Sequence, residues 1–154
     1  MTTLSILEQR RIEAAFAKGH FEEMVASIGK EAATQIMARA IIKLAEQAGA
    51  EMAAETDTPS MAHFVALQER WTRGGALEIE VIHQDAERFD FNVTRCRYAE
   101  TYKEMGLAEL GAVLSCNRDG AFCGGYDRKL TLERTQTIMG GATHCDFRYR
   151  YEGK

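Results

Sequence analysis

Three segments of the chain gather the residue types that hydrolytic chemistry uses: Cys96-Arg97-Tyr98-Ala99-Glu100, Ser115-Cys116-Asn117-Arg118-Asp119 and His144-Cys145-Asp146-Phe147-Arg148-Tyr149. Hydrolysis needs a base to take a proton from water, a group to stabilise the charge that develops on the reacting centre, and a cation for any substrate carboxylate. Asp119, His144 and Glu100 are the candidate bases. Cys116 offers covalent attack instead, provided a neighbouring base or cation lowers its thiol pKa. Asn117, Arg118, Arg134, Gln136, Cys145 and Tyr98 are the candidates for holding the substrate.

The local setting of each residue bears on these roles. Cys116 is expected at the C-terminal end of a helix, which would raise its thiol pKa and count against a nucleophile. His144 and Cys145 are adjacent in an expected strand, so they point to opposite faces unless a bulge intervenes. Cys145 then faces the apolar layer with Phe147, Tyr149 and Tyr151, while Asp146 is placed to orient His144. Arg134 and Gln136 share strand parity with Leu130, Leu132 and Ile138, and polar residues on such a face call for a partner or a ligand. Arg95 stands in the same relation to Phe91 and Val93, with Cys96 on the other face. A salt bridge to Glu100 or Glu109 is the plain alternative for either arginine, and a planar guanidinium clasping a substrate carboxylate is the functional one.

Taken with Glu109-Leu110-Gly111 and Arg134-Thr135-Gln136-Thr137-Ile138-Met139, these segments resemble the signature of L-2-amino-thiazoline-4-carboxylic acid hydrolases. The resemblance is strongest from Cys96 to Tyr149 and is supported by Trp71 and Gly74-Gly75. It implies ring opening of a cyclic, amidine-like substrate by water. It also singles out Cys116 as required for turnover. If a carboxylate activates water directly, Cys116 only shapes the pocket. The crowded stretch Gly120-Ala121-Phe122-Cys123-Gly124-Gly125 is a departure that could reshape the pocket mouth.

Helices and strands must position these residues. Residues 1–75 are rich in Ala, Glu, Met, Leu and Lys with no proline before Pro59, and predict a mainly helical half. Leu4, Leu7, Ile12 and Phe16 mark the stripe of a first helix that Gly19 should end. Ile36, Ala40, Ile41 and Leu44 mark a core helix over residues 30–55. A further helix opens at Pro59, carries Phe64, Leu67, Gln68 and Trp71 on one face, and ends at Gly74-Gly75. From Ala76 the period becomes two: Leu77, Ile79, Val81 and His83, then Phe89, Phe91 and Val93, predict a hairpin turning at residues 85–88. Short helices follow over 97–105 and 107–116. Residues 129–138 and 143–151 predict a second hairpin joined across Met139-Gly140-Gly141-Ala142. The expected fold is therefore α+β, a helical layer packed on an antiparallel sheet of about four strands, in a single domain over residues 1–154.

Composition narrows the function classes. The 154 residues carry a formal charge of -4 without any block of Lys and Arg, so nucleic acid is a poor partner. No apolar stretch approaches the roughly 20 residues of a membrane span, and Met1-Thr2-Thr3-Leu4 lacks the regions of a signal peptide, so the default location is cytoplasmic. The four cysteines are expected as free thiols, and none is paired at metal-site spacing. The leading expectation is a cofactor-independent hydrolase of a small heterocycle, monomeric or a homo-oligomer. A non-catalytic small-ligand-binding protein, and a metal-dependent enzyme gathering Cys96, Cys116, His144 or Cys145, remain as alternatives.

Overall fold

The structure, a computed structural model, describes residues 3–152; Met1 and Thr2, where the reading against a signal peptide begins, lie outside it. Ser5 opens α1 (Ile6–Ile28) with a reciprocal cap: its Oγ accepts from the Glu8 amide at 3.2 Å, and the Glu8 carboxylate accepts from the Ser5 amide at 2.8 Å. The helix runs straight through Gly19, contrary to expectation, because a glycine that keeps helical φ costs only about 1 kcal/mol. The chain turns instead at Gly29, whose φ of 87° suits glycine. There α2 (Lys30–Ala53) begins. Of the large residues expected to face inward, Ile41 does, and much of the remaining inward surface is made of small residues. Ala14 is the buried residue of α1 while Ile12 and Phe16 are exposed, and α2 turns Ala33, Met37, Ile41, Ala45 and Gly49 inward while Ile36 and Leu44 remain exposed.

Ser60, not the threonine before Pro59, caps α3 (Met61–Leu67), its Oγ accepting from the His63 amide at 3.1 Å. Gln68 breaks the run, α4 (Glu69–Thr72) carries Trp71, and Gly74 and Gly75, at φ 67° and 75°, turn the chain into the sheet. In the β1 (Leu77–Gln84) and β2 (Arg88–Cys96) hairpin, Asp85 Oδ1 accepts from the Glu87 and Arg88 amides at 2.8 and 2.7 Å. Near the end of β2 the register slips: Glu78 pairs with Arg95 but Ile79 pairs with Val93, leaving Thr94 as an extra residue. The bulge reverses the expected parity. Cys96 turns in beside Val93, and Arg95 turns out to solvent, held by Glu100 at 2.9 Å.

After α5 (Arg97–Glu104), a π turn at Ala112–Cys116 leads without a break into α6 (Asn117–Tyr126). Cys116 is therefore inside a helical run rather than at its end, and the glycine-rich stretch after it is helical. Within it Gly125 serves packing, while Gly120 and Gly124 face open space. A Cβ on Gly125 would collide with the Glu46 carbonyl, and one on Gly49 with the Phe122 carbonyl, so α2 and α6 approach backbone to backbone.

The short β3 (Leu130–Glu133) and β4 (Cys145–Tyr151) complete an antiparallel sheet in the order β1-β2-β4-β3. The strand expected to reach Ile138 stops at Glu133. Asp146 accepts from the Thr135 and Gln136 amides, both at 2.9 Å, and pulls that segment into a loop. Across β2 and β4, Phe89 faces Tyr149, Phe91 faces Phe147 and Val93 faces Cys145. This inner face packs on Phe64, Phe122 and Tyr126, forming the main core. A second core joins Met37 and Ile41 of α2 to Tyr98, Tyr102, Leu110 and Leu114, and Trp71, Leu77 and Cys96 touch both.

Candidate active site

Where the two cores meet, they leave two adjoining hollows. The outer one is a cleft of about 340 Å³ beside α1 and α2, walled by aromatic side chains that include Phe64, Trp71, Phe122 and Phe147. The inner one, about 60 Å³, is lined by Cys96, Tyr98, Cys116, Arg134 and Cys145. Arg10, Trp71, Leu77, Arg118, Asp119 and Phe147 line both.

Asp119 is the carboxylate at this junction. Arg134 Nη1 donates to its Oδ2 at 2.6 Å, and Arg134 Nη2 donates to the Cys116 carbonyl at 3.1 Å. The guanidinium also lies 5.0 Å from the centre of the Phe147 ring. Burial raises the Asp119 carboxyl above its ordinary value, and Arg134 opposes that shift without cancelling it. The side chain keeps 27% of its exposure, directed into the hollows it lines. Arg118 lies one residue earlier, its Nε donating to the Leu114 carbonyl at 2.7 Å. The arginines thus engage two carbonyls of the π turn and its junction, and π turns recur at functional sites.

The thiols are in the opposite state from the one a nucleophile needs. Burial, reinforced by Asp119, pushes Cys116 up to about 12, and burial pushes Cys96 up to about 11. A thiol raised that far is almost wholly protonated at pH 7. Cys145, also raised by burial, accepts from the Ile138 amide at 3.1 Å. All four cysteines are free. Native protein at pH 7 is therefore expected to react with iodoacetamide far more slowly than a free cysteine, and to yield four thiols once unfolded without reductant. Rapid native alkylation of Cys116 by mass spectrometry would contradict the thiol state, and a count of two would reveal a disulfide.

Of the residues singled out by sequence, Cys116, Asp119, Arg118, Arg134, Cys145 and Tyr98 converge on the hollows. Tyr98 donates its hydroxyl to the Trp71 carbonyl at 3.1 Å, and burial keeps it protonated. Glu100 is drawn away by Arg95, and Asn117 is exposed. His144 precedes β4 rather than lying in it. It meets Gln136, whose Nε2 donates to the His144 carbonyl at 2.9 Å, and both lie outside the hollows. Asp146 is occupied by the loop at Thr135 and does not orient His144. Among the described residues, no group of three or more His, Cys, Asp or Glu side chains could hold a metal ion, and no helix is long and apolar enough to cross a membrane.

Two residues were not singled out in advance. Arg10 and Glu13 come from α1, and Glu13 accepts from Arg10 at 3.1 Å and from Arg118 at 3.1 Å. A signal for Arg10 did exist: it falls in the i, i+4 series Ile6, Arg10, Ala14, where a cation interrupts the inward face of the helix.

The model of the L-2-amino-thiazoline-4-carboxylic acid hydrolase family matches residues 9–149, from α1 to β4. The chain belongs to that family. Both hollows are built from residues within the matched span except Ile6, at the outer mouth. No curated protein sequence matches this family member. Among solved structures, the phenol-responsive sensory domain of the transcription activator PoxR, solved with phenol, is similar at a TM-score of 0.55 and 14% identity. That alignment covers 98% of this chain and 76% of the other. A trafficking protein particle complex subunit 3 from Naegleria fowleri, covalently bound to palmitic acid, aligns at a TM-score of 0.49 and 10% identity over 94% of this chain and 96% of the other. The first of these likenesses concerns the fold alone.

Proposed function

We propose that this family member opens a small nitrogen-containing ring by hydrolysis of a C–N or C–S bond, with Asp119 as the base that activates water. The observation that carries the reading is a carboxylate with a raised pKa, open to a lined hollow and fixed by Arg134, in a site whose thiols are protonated. Water beside Asp119 gives it a proton while the oxygen adds to the ring carbon between two heteroatoms. Collapse of the adduct breaks the bond to one ring heteroatom, which takes the proton back from Asp119. Tyr98 and Cys116 line the same hollow as neutral groups that can face the ring. Arg134, its donors turned to Asp119 and the Cys116 carbonyl, acts as a positioning residue in this scheme.

The test is a pair of variants assayed with L-2-amino-thiazoline-4-carboxylate. Cys116→Ala is expected to keep kcat within about tenfold of the parent, whereas loss beyond about a hundredfold would restore the covalent route. Arg134→Gln removes the charge that lowers the Asp119 pKa, so the acid limb of kcat/KM should move to higher pH. An unmoved limb would detach Asp119 from the titration.

A second reading is a small-ligand-binding module. It is favoured by the aromatic cleft and by the likeness in fold to a domain solved with phenol. Absence of turnover across a panel of cyclic amidines and amides, combined with measurable binding, would select it.

A further inference from the structure

The outer cleft is larger than a bare five-membered ring with its carboxylate requires. Its 340 Å³ reaches the lower end of the roughly 300–1,000 Å³ of sites that take drug-sized ligands. Its wall is mainly aromatic and aliphatic, with Gln9, Gln47, Gln68 and the carboxylates of Glu51 and Asp119 among its polar members, and Leu44 is about half exposed. Two cations also line this largely apolar space. Arg10 and Arg118 retain only 14% and 12% of their side-chain exposure, and both line the inner hollow as well. Their charges converge on one carboxylate, Glu13, which remains 48% exposed. Two buried guanidinium groups therefore share an anion that needs little movement to leave them for solvent.

We infer that this site takes an amphipathic carboxylate: Arg10 and Arg118 bind its carboxylate in place of Glu13, and an apolar extension fills the aromatic cleft. Glu13 holds the two arginines apart from their ligand and in register for it. A carboxylate arriving between them exchanges one anion for another, so no buried charge is left unpaired at any stage. The extension supplies what Glu13 lacks. Phe64, Trp71 and Phe122 exclude water from it, and its burial biases the exchange toward the ligand. The inference rests on the proposed site but not on turnover.

Calorimetric titration of the full chain with acetate, phenylacetate and 4-phenylbutyrate, and with 4-phenylbutanol as the neutral counterpart, tests it. Affinity should rise at least a hundredfold from acetate to 4-phenylbutyrate, and the alcohol should bind at least tenfold more weakly than the acid. Glu13→Gln frees the arginines and should tighten 4-phenylbutyrate binding several-fold, a gain that damage to the fold would not produce. Arg10→Met should erase the preference for acid over alcohol. Equal affinity for acetate and 4-phenylbutyrate, or weaker binding by Glu13→Gln, would overturn the inference. Binding of aryl carboxylates without hydrolysis of any ring would sink only the hydrolase reading. Turnover of the thiazoline with no gain from an aryl group would sink only this one.

Discussion

Asp119→Asn is expected to lower kcat by at least about a hundredfold, the scale associated with removing a positioned general base. The amide keeps the size of the carboxylate and can still accept a hydrogen bond from Arg134, which now donates to Asp119 Oδ2 at 2.6 Å. Packing is conserved and basicity is lost. The change does leave Arg134 without its counter-ion in a largely buried position, so stability must be measured beside rate. A folded Asp119→Asn protein with near-normal kcat would remove Asp119 from the chemistry. Because burial raises this carboxyl, the parent should lose kcat/KM on acidification at a higher pH than an ordinary aspartate would dictate. The asparagine variant should lack that limb.

Gly125→Ala should cost at least about 3 kcal/mol or prevent folding, at the upper end of what overpacking costs, because the added methyl meets backbone that cannot move aside. Its collision is with the Glu46 carbonyl of α2, at the contact that sets the spacing between α2 and α6. Gly124 provides the control. A Cβ there meets nothing within 4 Å, so Gly124→Ala should be neutral or stabilise α6 by up to about 1 kcal/mol. Urea denaturation of both proteins separates the cases, and similar midpoints would remove the close approach as a constraint.

Amphipathic patterning made the helical half and the first hairpin legible, because strand alternation and turn residues act locally. Contacts between distant segments decided the rest. The inward face of α2 sets Ala33, Ala45 and Gly49 beside Met37 and Ile41; the small size of the first three matters only once neighbours lie against them, so Ile41 pointed to the right face and the larger Ile36 and Leu44 to the wrong one. Thr94 occupies its bulge because of the pairing with β1, and no alternation rule foresees the exchange of Cys96 and Arg95. At the site, Ser115 to Asp119 and Arg134 were visible as unusual polar clusters. The bond between Asp119 and Arg134 was not, since Glu100 and Glu109 were equally available on paper. Glu100 went to Arg95, and Glu109 to Lys30 at 2.6 Å.

The π turn at Ala112–Cys116 ties the site to the length of the chain as well as to its letters. Asn117 donates its amide back to Ala112, five residues earlier, where an α-helix would reach four. Deleting one residue between Leu110 and Cys116 would let ordinary helix form with every backbone bond satisfied. It would also swing the side chains beyond the deletion by about 100° relative to those before it. With α6 pinned to α2 through Gly49 and Gly125, that rotation falls on Leu110 and Leu114 and unseats the second core. A homologue one residue shorter here could keep Asp119 and Arg134 in sequence and still lose the geometry that joins them.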